Sequence, residues 1–182
     1  SLIIVEGKEA GGHLGTDRPM REIVPEIVAA VDLPVIAAGG IIDGQDIVDA
    51  LRLGAVGVQM GTRFVASDEC NAAQELKELY IKAEPEDVVL IKSPVGYPGR
   101  SLKNPFAVKA LAMETDKAKV CQGCLKECSQ HFCLINALVR AQQGDVETGL
   151  VFTGENVHRI KDILPVKEIF RQLLAEIDQI EG

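Results

Sequence analysis

Tryptophan is absent from the 182 residues, and the aromatics amount to five Phe and two Tyr. So small a supply of flat rings excludes the stacking platforms that hold single-stranded nucleic acid. Positive charge is scarce as well: 19 Lys and Arg stand against 27 Asp and Glu, leaving a formal charge of −8 and a pI near 4.9. That balance gives no field for nucleic acid or an anionic membrane surface, and neither is expected as a partner. No apolar run approaches the roughly 20 residues that span a bilayer. Nothing near the start resembles a secretory signal, so a cytoplasmic location is the expectation. An initiating Met is missing too. The chain opens Ser1-Leu2-Ile3-Ile4-Val5 and runs directly into an apolar segment, as expected of a piece of something longer. Repeats and low-complexity tracts are absent, and the length suits one domain, or one with a small appendage.

What is present is alternation of short apolar runs with amphipathic stretches. Pro34-Val35-Ile36-Ala37-Ala38 has no polar alternation, as a parallel strand covered on both faces requires. Gly39-Gly40 ends it, and Asp43 is placed to cap a helix carrying Ile47, Val48 and Leu51. Gly54 stops that helix where a left-handed residue is wanted. Ala55 to Met60 reads as a second buried strand, closed by Gly61-Thr62-Arg63. Upstream, Leu2 to Val5 is a strand leading into the loop Glu6-Gly7-Lys8-Glu9-Ala10-Gly11-Gly12-His13. Met20 to Val31 is a helix with Ile23, Val24, Ile27, Val28 and Val31 on one face, and Pro25 marks its true start. Ser67-Asp68-Glu69 is read as the cap of a further helix bearing Leu76, Leu79 and Tyr80.

The pattern changes near residue 83. Asp87 to Lys92 reads as a strand, Ser93 to Arg100 as irregular, and Asn104 to Met113 as a short helix. Leu134, Ile135, Leu138 and Val139 mark another helix, ended by Gly144. Val166 to Ile180 holds a helical period throughout. The expectation is three β/α units over residues 1–83 and a mostly helical region over 84–182, its last helix packing back on the first part.

Two successive strand ends thus carry glycine turns with free backbone N–H groups. Such turns let an anion approach the backbone and meet a helix N-terminus. In a (β/α)8 barrel, the loops after the last two strands are the usual phosphate site. Thr62 adds a hydroxyl donor, and Arg63 has two readings: neutralising a phosphate or pairing with a carboxylate. Glu6 and Glu9 read as solvated carboxylates, and Arg100 as a packing residue. Cys121, Cys124, Cys128 and Cys133 are spaced closely enough for Zn²⁺ or an iron–sulfur cluster. They match no standard zinc-finger spacing, so they are read as free or partly buried thiols and no metal ligand is assigned. Cys70 is read as a buried residue opening a helix.

Three motifs in order, Glu6-Gly-Lys-Glu-Ala-Gly-Gly-His13, Ala37-Ala-Gly-Gly-Ile-Ile-Asp-Gly44 and Gln59-Met-Gly-Thr-Arg-Phe64, resemble the nitronate monooxygenase family. That family, formerly 2-nitropropane dioxygenase, also holds the FMN-dependent enoyl-acyl-carrier-protein reductases. Ser93-Pro-Val-Gly-Tyr-Pro-Gly-Arg100 looks like a further family element, and Gly144 to Gly154 resembles the C-terminal region of a bacterial subgroup. The resemblance implies an α/β fold in which this chain is the C-terminal part of a (β/α)8 TIM barrel, strands six to eight, with a helical second region. It implies FMN across the strand ends and His13 at the catalytic position. Gly39, Gly40 and Ile41 would hold its phosphate from one turn, Gly61 and Thr62 from the other, with Gly12 and Gln59 near the flavin. The family's chemistry uses no metal. Strands one to five have no counterpart here, and a barrel of this kind takes roughly 250 residues to close.

The resemblance implies a small-molecule substrate and one of two reactions. One is oxidative denitrification of alkyl nitronates with O₂; there an imidazole with a pKa near 6.5 removes the α-proton of a nitroalkane. The other is reduction of an enoyl thioester with NAD(P)H. A third reading, from another class, is a non-catalytic half-barrel needing its N-terminal half. The open sheet edges of such a piece predict association with that half or with itself.

Overall fold

The computed structural model describes residues 1–117, 121 and 123–182. In chain order, β1 (Ile3–Glu6), β2 (Gly12–His13), α1 (Met20–Ala30), β3 (Val35–Ala38), α2 (Gly44–Arg52), β4 (Gly57–Gln59), α3 (Thr62–Val65) and α4 (Gln74–Lys82) come first. They are followed by β5 (Val88–Lys92), β6 (Pro98–Leu102), α5 (Pro105–Leu111), α6 (Leu134–Gln142) and α7 (Val166–Glu181). Short 3-10 turns lie at Pro85–Asp87 and Glu155–Arg159.

Two sheets organise the described residues. The first is parallel, in the order β1-β3-β4, with Val5 opposite Ala37 and Ala37 opposite Val58. The central strand, β3, buries Val35, Ala37 and Ala38, which is why its sequence lacks alternation. Helices α1 and α2 cover it, and Val24, Ile41, Ala50 and Ala55 complete that core. Helix α2 begins with a reciprocal cap: Asp43 accepts from the Asp46 amide at 3.1 Å, and Asp46 accepts from the Asp43 amide at 3.3 Å. At its other end Gly54 has φ +97°, and a Cβ there would lie 2.9 Å from Val28 on α1. Only glycine lets α2 end this close to α1.

The second sheet is antiparallel, in the order β2-β6-β5, with His13 opposite Gly99 and Gly12 opposite Arg100. The expectation that Ser93 to Arg100 is irregular is corrected here: Pro98–Leu102 is a strand and forms a hairpin with β5. Sheet pairing therefore crosses residue 83, and the later region combines a hairpin with its helices.

Other boundaries also differ from the sequence reading. Helix α1 runs through Pro25 and starts at Met20, whose amide donates to Glu9 Oε2 at 2.9 Å. Glu9 is thus a helix-capping group, where a solvated carboxylate was expected. Ser67 and Glu69 open no helix. Ser67 Oγ donates to the Phe64 carbonyl, and Glu69 Oε2 accepts from the Val166 amide at 2.8 Å, capping α7 across the fold. Helix α4 starts only at Gln74, and Cys70 lies half-buried before it. On α6 the small residues Ala137 and Ala141 face inward, whereas Ile135 and Val139 are exposed. Helix α7 packs on α2 through Ile169 and Leu173, and Glu176 accepts from the Gly44 amide at 2.6 Å. Among the described helices none is long and apolar enough to cross a membrane.

Candidate active site

At the carboxyl end of the parallel sheet lies a cavity of about 330 Å³. The last residues of its three strands, Glu6, Ala38 and Gln59, all reach it. This is where parallel α/β sheets place ligands, because the turns leaving the strands diverge there. Gly12, Gly39, Gly40, Ile41, Gly61 and Thr62 line the cavity along with Gln59. The two glycine turns therefore face one space.

The glycines have different reasons for being there. Gly39 and Gly40 have φ of +99° and +76°. A Cβ on Gly40 would meet Glu9 Cβ at 2.8 Å, and one on Gly39 would meet the Ala10 amide nitrogen at 3.1 Å. These two let the turn lie against the histidine-bearing loop. Gly61 is the opposite case: φ is −108°, and nothing stands within 4 Å of where its Cβ would be. The open space at Gly61 belongs to the cavity, and a side chain there would fill it.

The fourth wall comes from a segment that the sequence reading assigned no role at the site. Phe152, Thr153, Gly154 and Asn156 close the cavity from the C-terminal side. Asn156 Nδ2 donates to the Gly40 carbonyl at 2.6 Å, fixing that turn. The Gly154 amide donates to Thr62 Oγ1 at 2.9 Å, which leaves the Thr62 hydroxyl hydrogen free to donate elsewhere. Polar Thr153-Gly154-Glu155-Asn156 directly after apolar Leu150-Val151-Phe152 was the signal available in the sequence. Tyr80 lies beneath, its hydroxyl donating to the Phe152 carbonyl, and burial pushes its phenol well above the ordinary range.

His13 does not line this cavity but stands beside it. Its ring meets Phe152 edge to face, with centroids 5.2 Å apart and planes at 76°. Its Nε2 is 2.7 Å from Ser93 Oγ, at the end of β5. Gly99, opposite His13, makes room for this contact, since a Cβ there would strike the Phe152 ring at 2.8 Å. Partial burial lowers the His13 pKa from 6.5, favouring the neutral imidazole. Partial desolvation raises the Glu6 carboxyl in the same neighbourhood, although the residue as a whole is exposed, as the sequence suggests.

The two arginines have structural partners. Arg63 turns away from the cavity and pairs with Asp162 Oδ1 at 2.9 Å, which decides between its two sequence readings. Buried Arg100 donates to the carbonyls of Ala10 and Lys8 at 3.1 and 2.6 Å, clamping the histidine loop to β6.

The chain matches known proteins over nearly its whole length. A probable nitronate monooxygenase of Staphylococcus aureus strain JH9 is 32% identical over 98% of this chain and 51% of its own. Among solved structures, FabK from Thermotoga maritima superposes with a TM-score of 0.83 at 37% identity, covering 98% of this chain and 54% of that one. A nitroalkane oxidase from Streptomyces ansochromogenes gives a TM-score of 0.75 at 27% identity, with 98% and 52% covered. The chain thus spans about half the length of the relatives it matches. The family model for nitronate monooxygenase matches residues 1–176, and the chain belongs to that family.

Proposed function

We propose that this chain supplies the FMN-phosphate and base-bearing part of a nitronate monooxygenase-type oxidoreductase, as strands six to eight of a (β/α)8 barrel. The observation that carries this reading is the shared cavity: both glycine turns open onto it and the His13–Ser93 pair stands at its edge. The residues fit a phosphate. Open space at Gly61 and an unspent hydroxyl hydrogen on Thr62 offer room and a donor for its oxygens. FMN, when bound, supplies the electron transfer.

The chain's own residues bind, orient and move a proton. Gly40, Ile41, Gly61 and Thr62 hold the phosphate, and Asn156 keeps the first turn in shape. In the tautomer whose Nε2–H donates to Ser93 Oγ, the basic nitrogen of His13 is Nδ1, and it takes the substrate's α-proton. Lowering of the His13 pKa keeps that nitrogen unprotonated at neutral pH. Phe152 sets the ring plane and excludes water from one side.

A second reading, the enoyl-thioester reductase with NAD(P)H as reductant, is favoured by one observation: the FabK match exceeds the nitroalkane oxidase match in both identity and TM-score. In that case His13 orients or protonates the thioester. Stopped-flow mixing separates the two. Bleaching of bound flavin by a nitronate but not by NAD(P)H supports the monooxygenase, and rapid bleaching by NAD(P)H alone supports the reductase. A chain that neither takes up FMN nor is stabilised by it sinks both readings and leaves a non-catalytic half-barrel.

Residues in and just before the edge strands of the parallel sheet also point to a partner. Leu2, Ile4 and Val56 are 54%, 51% and 63% exposed, and β1 and β4 are its edges. Association with an N-terminal half-barrel or a second copy would cover them.

A further inference from the structure

Ser93 carries the contact to His13, and its own place is held from outside the sheet. Strand β5 is the free edge of the antiparallel sheet, whose order is β2-β6-β5. Backbone groups of successive residues in such a strand point alternately toward and away from the neighbour. The Ser93 amide donates inward to the Tyr97 carbonyl at 3.3 Å, so the Lys92 carbonyl points off the edge. His131 Nε2 meets that carbonyl at 3.0 Å. Two residues earlier, the Ser129 amide donates to the Pro94 carbonyl at 3.1 Å. The residues on both sides of Ser93 are therefore tied to one short stretch, Ser129 to His131.

That stretch is itself anchored. Phe132 is 3% exposed and packs in one core with Ile91 of β5 and with Ala107 and Ala110 of α5. Its ring meets Phe106 and His131 edge to face, with centroids 5.1 and 4.7 Å apart. The His131 carbonyl accepts from Thr115 Oγ1 at 2.9 Å. Both ring nitrogens are engaged as well. A carbonyl only accepts, so Nε2 carries a proton. Nδ1, 2.6 Å from Ser129 Oγ, then accepts from that hydroxyl when the ring is neutral. An imidazole held at its backbone and at both nitrogens keeps one orientation and one tautomer.

We propose that His131 is a positioning residue for His13, acting through the Lys92-Ser93-Pro94 backbone. The proposal rests on His13 being the base of the reaction above. Strands β5 and β6 separate His131 from His13, so its effect reaches the imidazole only by keeping Ser93 Oγ in place. That oxygen lies 2.7 Å from His13 Nε2, and such a bond weakens steeply once its angle opens. Ser93 also sits where the strand turns: the Gly96 amide donates to the Ser93 carbonyl at 3.1 Å, and Gly96 has φ +92°. A turn at a free edge has no neighbouring strand to steady it on its outer side. The bonds from His131 and Ser129 take that part. A base shifted by a fraction of an ångström loses rate in the proton transfer, with substrate binding little affected.

The test compares His131→Leu with His131→Gln in the whole chain. A glutamine amide donates to the Lys92 carbonyl as Nε2 does, and leucine has no donor. Nitrogen-15 NMR of the His13 ring is read without flavin, at a pH where the ring is neutral. One tautomer should predominate in the native chain and in His131→Gln, and His131→Leu should give the averaged shifts of a mixture. With flavin loaded, His131→Leu should lower kcat on the nitroalkane by up to roughly tenfold with KM little changed, and His131→Gln should recover most of the loss. The native chain gives a reading that needs no variant: neutral His131 should carry its proton on Nε2. An Nδ1-protonated His131, His13 shifts that His131→Leu leaves unchanged, or a glutamine variant as impaired as the leucine one would each overturn the proposal. Full activity in His13→Ala would sink the base assignment instead, and the NMR readings would still decide whether His131 orders the His13 ring.

Discussion

His13 Nε2 and Ser93 Oγ are 2.7 Å apart, although 80 residues separate them in the chain. The first sits on β2 and the second at the end of β5, and β6 lies between those strands. Ser93 is buried and held within the tight turn of the hairpin, so it acts as a positioning residue for the imidazole. In the flavin-loaded protein, His13→Ala should lower kcat by about 10²- to 10⁴-fold, the usual worth of a positioned base. Ser93→Ala should cost less, roughly tenfold, and should restore toward normal with Ser93→Thr. Steady-state kinetics with the nitronate and its parent nitroalkane separate base from positioning, because the preformed nitronate needs no deprotonation. Equal losses on both substrates would contradict the assignment of His13 as base.

Burial lowers the His13 pKa from 6.5, and the sign of the pH effect follows. Above 6.5 the imidazole is neutral in both folded and unfolded chain, and the group is silent. As pH falls below 6.5 the unfolded chain binds the proton first, so stability contributed at higher pH is lost progressively toward the folded pKa. The acid limb of kcat/KM should likewise lie below pH 6.5. Histidine titration by NMR, compared with the His13→Asn variant, measures both. A midpoint above 6.5 would contradict the burial argument.

Gly40 and Gly61 should respond oppositely to substitution. Gly40→Ala forces a left-handed alanine against Glu9 and should destabilise the fold by about 1–3 kcal/mol. A Cβ at Gly61 has no protein atom within 4 Å and φ there is ordinary, so in Gly61→Val thermal unfolding should move by no more than about 0.5 kcal/mol. Yet it fills the cavity, and FMN affinity should fall at least about tenfold, near 1.4 kcal/mol. Calorimetry and flavin titration on the same samples check both halves. An unchanged affinity in Gly61→Val would place the phosphate elsewhere.

The apolar residues at the edges of the parallel sheet predict self-association of the isolated chain. Sedimentation velocity should show dimers or larger species, reduced by Ile4→Lys with Val56→Lys. A well-behaved monomer across the accessible concentrations would remove that expectation.

The parallel sheet and its glycine turns were legible because each rests on local chemistry. Unalternated Val35-Ile36-Ala37-Ala38 specifies a strand covered on both faces, and Asp43 with Asp46 specifies a helix start three residues wide. What was not legible depends on contacts distant in sequence. Glu69 looks like a local cap, yet it serves α7, 97 residues away. Pro25 looks like a helix start, but the capping carboxylate of Glu9 moves that start to Met20. Strand β6 opens with proline and glycine, which is why its first residues read as irregular. Gly99 is there because the Phe152 ring needs its space. The pairing of His13 with Ser93 has no sequence signature, since only the hairpin's fold brings them together.

The bonds from Gly154 to Thr62 and from Asn156 to Gly40 span 92 and 116 residues. During synthesis, both glycine turns therefore leave the ribosome long before the segment that fixes them. A chain stalled or clipped between the end of β4 and residue 152 would contain all three parallel strands but lack the clasp over them. Loss of ligand retention should thus precede loss of structure when a protease trims this protein from its C-terminal side.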